Sequence, residues 1–129
     1  MIILPIPKDG NCLFASLASF FQKPGIDHTV IRRMLVHYIY QHPDAFKTDI
    51  VSEGYTSVDQ YCEHMSRERT WGDGTCLQCF TMLFKVNVWL CYSNSPDEPP
   101  SLISEHKEGA PNLALLLTNN HYDRIIAWQ

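Results

Sequence analysis

Residues 9–14 read Asp-Gly-Asn-Cys-Leu-Phe, a polar turn that ends on a thiol just as an apolar run begins. A cysteine that opens a helix meets unpaired backbone N–H groups and the positive end of the macrodipole. Both favour the thiolate, the form of cysteine that attacks a carbonyl carbon. Asp9, Gly10 and Asn11 suit a tight turn, because glycine takes backbone angles closed to other residues, and Asp and Asn side chains bond their own main chain. Such a turn can aim N–H groups at one point, as the oxyanion of acyl transfer requires. The thiolate also needs a base. His121, in the stretch Asn-Asn-His-Tyr-Asp at 119–123, sits in a loop between two strong strand signals. Asp123 alternates to the same side of an extended segment and can fix the imidazole's orientation and tautomer. Cys12 equally suits the first core position of a helix, since free cysteine behaves as a small hydrophobe. With five cysteines and six histidines in the chain, both readings stand on these residues alone.

If the pair is catalytic, the elements must bring the two ends of the chain together. Residues 2–6 are apolar but carry Pro5, with Pro7 following, and suit an edge or lead-in segment. Apolar residues at 13, 14, 17, 20 and 21 predict a buried helix from Cys12 to about Gln22, stopped by Lys-Pro-Gly-Ile-Asp. Asp27 is the expected N-cap of a second helix, whose apolar positions run from Val30 to Ile39 and which ends before Pro43. A short helix over 44–50 and a turn at Gly54 come next. A polar helix then starts at a Thr56 or Ser57 cap, with Asp59 or Gln60 in the reciprocal position. Trp71-Gly72-Asp73-Gly74 breaks the chain, and Leu77, Phe80, Leu83 and Phe84 mark another helix. Strands are expected at 86–93, 112–118 and 124–129, with a surface loop over 94–101. Helices first and strands later make an α+β domain.

The bulk properties exclude several classes. The 129 residues are 45% hydrophobic and 19% charged, enough for a core in one domain over 1–129. A net charge of −4 with scattered basic residues argues against a nucleic-acid partner. No apolar run is long enough to span a bilayer and the N-terminus lacks the features of a secretory signal, so a cytoplasmic, membrane-free, monomeric protein is expected. Cys76 and Cys79 form a CxxC but fall inside an apolar-periodic helix with no second pair. Neither zinc nor a redox role is expected, and no cofactor is implied.

Three stretches, Asp-Gly-Asn-Cys-Leu-Phe at 9–14, Trp-Gly-Asp-Gly at 71–74 and His-Tyr-Asp-Arg-Ile at 121–125, together resemble the ovarian tumour (OTU) family of cysteine deubiquitinases. The resemblance implies a papain-like α+β fold with a small central sheet packed between helices. It further implies Cys12 as nucleophile, His121 as general base and then acid, and Asp123 as the residue that orients the histidine. Asp9, Gly10 and Asn11 would form the oxyanion loop, and Trp71 and Gly72 a structural turn near the site, in which Trp71 is mainly a packing residue close to the substrate channel. The implied partner is ubiquitin or polyubiquitin, and the implied reaction is hydrolysis of the peptide or isopeptide bond at its C-terminus. If the protein comes from a pathogen, it would act in a host's cytosol. Residues 43–66 are the stretch where ubiquitin contacts are expected by analogy. Two other readings share these residues: a cysteine peptidase acting on a polyprotein or a ubiquitin-like modifier, and a catalytically weak ubiquitin-binding module.

Overall fold

A computed structural model describes residues 1–127. The chain begins with a short strand, β1 (Ile2–Leu4), then runs through five helices, α1 (Cys12–Ala18), α2 (His28–Gln41), α3 (Pro43–Ser52), α4 (Val58–Met65) and α5 (Gly74–Phe84). Four strands follow, β2 (Asn87–Tyr92), β3 (Ser101–Ser104), β4 (Asn112–Thr118) and β5 (His121–Ala127).

The helices start where capping chemistry dictates. The Asp27 carboxylate accepts the Val30 N–H at 3.0 Å, the Ser57 hydroxyl accepts the Gln60 N–H at 3.1 Å, and Asp73 accepts the Cys76 N–H at 3.0 Å. The reciprocal bond at α4 is displaced by one residue, with Gln60 accepting from the Thr56 main chain. Pro43 opens α3, where its missing N–H has no cost, and Gly54 turns the chain beyond it at φ 101°.

Helix α1 ends four residues sooner than periodicity predicts. Ser19 turns its hydroxyl back to the Ser16 carbonyl at 2.6 Å, and Gln22 reverses the chain in the left-handed region. Phe20 and Phe21 thereby leave the helix and pack edge-on against Phe80 of α5, their centroids 6.3 and 6.1 Å from its ring. Leu13, Phe14 and Leu17 of α1, Ile31, Leu35 and Ile39 of α2, and Phe80 of α5 share one core. Each such side chain, fully removed from water, contributes about 1.5–3 kcal/mol.

The sheet order is β1-β5-β4-β2-β3, with β2 and β4 parallel and the other pairs antiparallel. Strand β3 begins on Ser101, the last residue of the expected surface loop, and runs through residues with no clear alternating pattern. Strand β5 starts three residues earlier than expected, because Asn119 takes the left-handed turn position at φ 56° and pairing resumes at Thr118 with His121. His121 and Asp123 are therefore strand residues, not loop residues. Trp128 and Gln129, the end of the expected last strand, lie outside the described residues. The first and last strands pair along Ile2–Leu4, and α1 lies against β5, where the Ser16 hydroxyl donates to the Tyr122 carbonyl at 3.3 Å. The two ends of the chain meet through this pairing.

Candidate active site

Asp123 is fixed first. Its Oδ1 accepts the main-chain N–H of Ile6 at 2.8 Å, a bond that joins the segment after β1 to β5 across 117 positions. The same oxygen lies 2.9 Å from His121 Nε2, which donates to it. Alternation along β5 puts both side chains on one face. With the Nε2 proton on Asp123, Nδ1 carries the lone pair, and this nitrogen is buried without a partner. A buried imidazole with one nitrogen anchored and the other free is a proton acceptor in waiting.

Cys12 opens α1, only 1% exposed. Its thiol makes no hydrogen bond to His121 among the described residues. It is instead approached by the backbone of Tyr122, the residue next to that histidine. Burial is the largest influence on the thiol and pushes its pKa up. The Tyr122 and Leu13 backbones pull it down, and the Asp9 charge pushes it up again, for a net upward shift. The helix start therefore does not by itself produce the thiolate expected from sequence; desolvation outweighs it.

The loop ahead of Cys12 is built differently from expectation. The Asn11 N–H, an expected oxyanion donor, is taken by the Asp9 carboxylate at 2.8 Å, and the Cys12 N–H has a long 3.3 Å contact with the Asp9 carbonyl. Among the described residues Gly10 N–H has no acceptor. Gly10 does not need a positive φ. It needs room, because a Cβ there would lie 1.8 Å from the Arg69 carbonyl oxygen. Asn11 is a buried clamp, its Oδ1 accepting from Arg32 Nη2 and from the Arg69 N–H, both at 2.8 Å. Sequence reasoning missed Arg32 and Arg69. Nothing in the local sequence pattern singles out Arg32, and only the structure shows its guanidinium 4.0 Å over the Phe14 ring.

This arrangement can be compared with known proteins. Residues 7–121 match the OTU-like cysteine protease family, a stretch that takes in Cys12 and His121 and stops two residues short of Asp123. The chain belongs to this family. It is 33% identical over 85 residues to OVARIAN TUMOR DOMAIN-containing deubiquitinating enzyme 10 of Arabidopsis thaliana, covering 64% of this chain and 22% of that protein. It is 24% identical over 102 residues to ubiquitin thioesterase otu2 of Schizosaccharomyces pombe, covering 74% and 34%. The chain thus spans well under half the length of these relatives. The OTUD1 OTU domain superposes with a TM-score of 0.78 at 22% identity, covering 97% of this chain and 85% of that one. The Hazara virus OTU bound to ubiquitin gives 0.72 at 18% identity, covering 98% and 82%. Both likenesses establish the OTU fold.

Beside the OTU residues runs a cleft of about 360 Å³ lined by Trp71, Gly72, Leu117, Asn120 and Tyr122. Gly72 is required by packing, since a Cβ would come within 2.6 Å of Leu13 and 3.1 Å of Phe14. Trp71, expected mainly to pack near the substrate channel, packs little. It is 51% exposed and forms a wall of the cleft. Cys76 and Cys79 are internal hydrogen-bonding groups, the first 3.3 Å from the Tyr61 hydroxyl and the second donating to the Leu35 carbonyl. Burial pushes the Cys79 thiol up to about 12.

The raised Cys12 thiol sets the pH dependence of its reactivity. In the free protein, alkylation of Cys12 by iodoacetamide climbs with pH and passes its midpoint above the ordinary thiol value of about 8.5. Asp9→Asn keeps an oxygen for the Asn11 N–H but removes the charge, and moves the midpoint down. A rate already at its plateau at neutral pH in the unmodified protein would contradict the upward shift. Peptide mapping separates Cys12 from the four other free cysteines, all buried.

Proposed function

We propose that the protein hydrolyses the peptide or isopeptide bond at the C-terminus of ubiquitin, with Cys12, His121 and Asp123 as its catalytic triad. The observation that carries this reading is the His121–Asp123 bond, which leaves a buried, unpartnered Nδ1 on the residue beside the backbone that approaches the Cys12 thiol. Nδ1 takes the Cys12 proton as sulfur bonds to the carbonyl carbon, and the carbonyl electrons move onto oxygen. The N–H groups of Gly10 and Cys12 are the donors for that oxyanion. When the tetrahedral intermediate collapses, the C–N bond breaks and Nδ1–H protonates the leaving lysine amine. Water, deprotonated by the same nitrogen, then displaces sulfur from the thioester and restores the thiol.

The cleft supports the choice of substrate. Asn120 and Tyr122, the chain neighbours of His121, line a cleft with Trp71 and Gly72, and the substrate we assign to it is an end with no bulky side chains, such as the two glycines that end ubiquitin. The relatives described as a deubiquitinating enzyme and a ubiquitin thioesterase agree with it. The raised thiol and the missing Cys12–His121 bond favour one second reading, a ubiquitin-binding module with weak catalysis.

A ubiquitin probe with a C-terminal electrophile separates the two. Under the proposal it adds one ubiquitin mass to the protein, mapped to Cys12, and Cys12→Ala abolishes the adduct. An unmodified protein that binds ubiquitin but forms no adduct would leave only the binding-module reading.

A further inference from the structure

Arg32 of α2 is only 4% exposed, and among the described residues it forms no ion pair with a carboxylate. Its hydrogen bonds go to oxygens of the main chain and of one amide. Nη1 donates at 2.9 Å to the carbonyl of Met65, the last residue of α4, where a helix leaves carbonyls without main-chain donors and presents the negative end of its dipole. Nη2 donates to Asn11 Oδ1 at 2.8 Å and, at a longer 3.4 Å, to the Gly10 carbonyl. The face of the guanidinium lies 4.0 Å over Phe14 of α1. One side chain therefore ties the end of α4 to α1 and to the loop ahead of Cys12.

These constraints converge on Asn11. Its Oδ1 also accepts the Arg69 N–H at 2.8 Å, so both lone pairs of that oxygen are used. Its own N–H is held by Asp9, and its carbonyl accepts the Ala15 N–H at 2.9 Å as α1 begins. A peptide group is planar, so the unit that carries the Asn11 carbonyl also carries the Cys12 N–H. Fixing Asn11 thus aims the Cys12 N–H. The preceding peptide, between Gly10 and Asn11, is held by Arg32 on its carbonyl and by Asp9 on its N–H.

We propose that Arg32 is a positioning residue for the hydrolysis, acting through Asn11 to hold the Gly10 and Cys12 N–H groups where the carbonyl oxygen develops its charge. This rests on the hydrolase reading above. Stability alone is a poor reason for the residue, since a buried charge without a counter-charge is costly and an apolar side chain of similar volume serves a core as well or better. Geometry is a better one. The planar fork reaches Met65 with one nitrogen and Asn11 with the other, and a lysine, with a single nitrogen on a flexible stem, cannot reproduce that span.

Turnover of a ubiquitin C-terminal amide by the full chain tests this. Arg32→Lys keeps the charge and one donor, and is expected to lower kcat about 10- to 100-fold, the scale of a donor displaced from an oxyanion. KM changes by no more than about twofold, because the lost contact serves the transition state. Alkylation of Cys12 by iodoacetamide forms no oxyanion, so its rate in Arg32→Lys stays that of the unmodified protein. A general disturbance at the start of α1 would change it. Asn11→Ala leaves the Arg32–Met65 bond in place and lowers kcat to the same extent. Combined with Arg32→Lys it is no slower than alone, since both changes remove one link. Thermal unfolding above the assay temperature shows that each variant is folded. Unmodified kcat in Arg32→Lys, additive losses in the double variant, or alkylation that falls in step with kcat would each overturn the proposal while leaving the hydrolase reading in place. An unmodified protein without turnover would overturn both.

Discussion

Replacing His121 with alanine lowers kcat/KM for ubiquitin C-terminal hydrolysis by about 10²- to 10⁴-fold, the range associated with a positioned general acid–base group. Dependence on this ring is large because Cys12 gets little help elsewhere: burial raises its pKa, and the backbone contributions do not cancel that rise. Under the proposed mechanism the imidazole therefore takes its proton from a neutral thiol. Its Nδ1 is free to do so because Asp123 holds Nε2. Asp123→Ala removes the acceptor for both His121 and the Ile6 N–H, but leaves the ring in place, so its loss is smaller than that of His121→Ala. The pH profile distinguishes lost chemistry from lost structure. Residual activity of His121→Ala rises with pH as the thiol ionises unaided, whereas a misfolded protein would gain nothing. A His121→Ala protein within a few-fold of the unmodified enzyme at neutral pH would remove this histidine from the mechanism.

The residues of this site were legible in the sequence to different depths, for physical reasons. Cys12 stood out as a candidate because it ends a polar turn, His121 because it lies between two strand signals, and Asp123 because strand periodicity puts it on the histidine's side; the family resemblance then joined the three. The N-caps Asp27 and Ser57 were legible because capping is local, decided within three residues. What sequence reasoning lost was non-local. The clamp on Asn11 joins residues 11, 32 and 69, and no short window contains all three. The thiol's ionisation depends on how deeply α1 is buried against β5, a tertiary quantity that a helix-terminus rule ignores. The resemblance made Trp71 mainly a packing residue, but how far it is exposed is tertiary, and aromatic character is as useful to a cleft wall as to a core.

Gly10→Ala is expected to damage the protein as strongly, by a different route. The new methyl would sit 1.8 Å from the Arg69 oxygen, 2.4 Å from its carbonyl carbon and 2.7 Å from its Cα, all main-chain atoms that no rotamer change can move aside. Arg69 cannot easily yield. It already holds a left-handed backbone at φ 69°, unfavourable for a residue with a β-carbon, and its N–H is bound to Asn11. Relief must come from displacing the 9–11 loop, and with it the Gly10 and Cys12 N–H groups that the proposed mechanism uses. Overpacking of this kind costs about 1–3 kcal/mol of stability, and a misplacement of about 1 Å in a catalytic group can cost 10²-fold in rate. Gly74→Ala is the matched control: a Cβ there meets nothing within 4 Å, and at the first position of α5 alanine should leave stability unchanged or raise it. Urea unfolding and kcat measured on both variants test the contrast. A Gly10→Ala protein with unmodified stability and turnover would show that the loop gives way freely, and that the contact between residues 10 and 69 does not hold the nucleophile's approach in place.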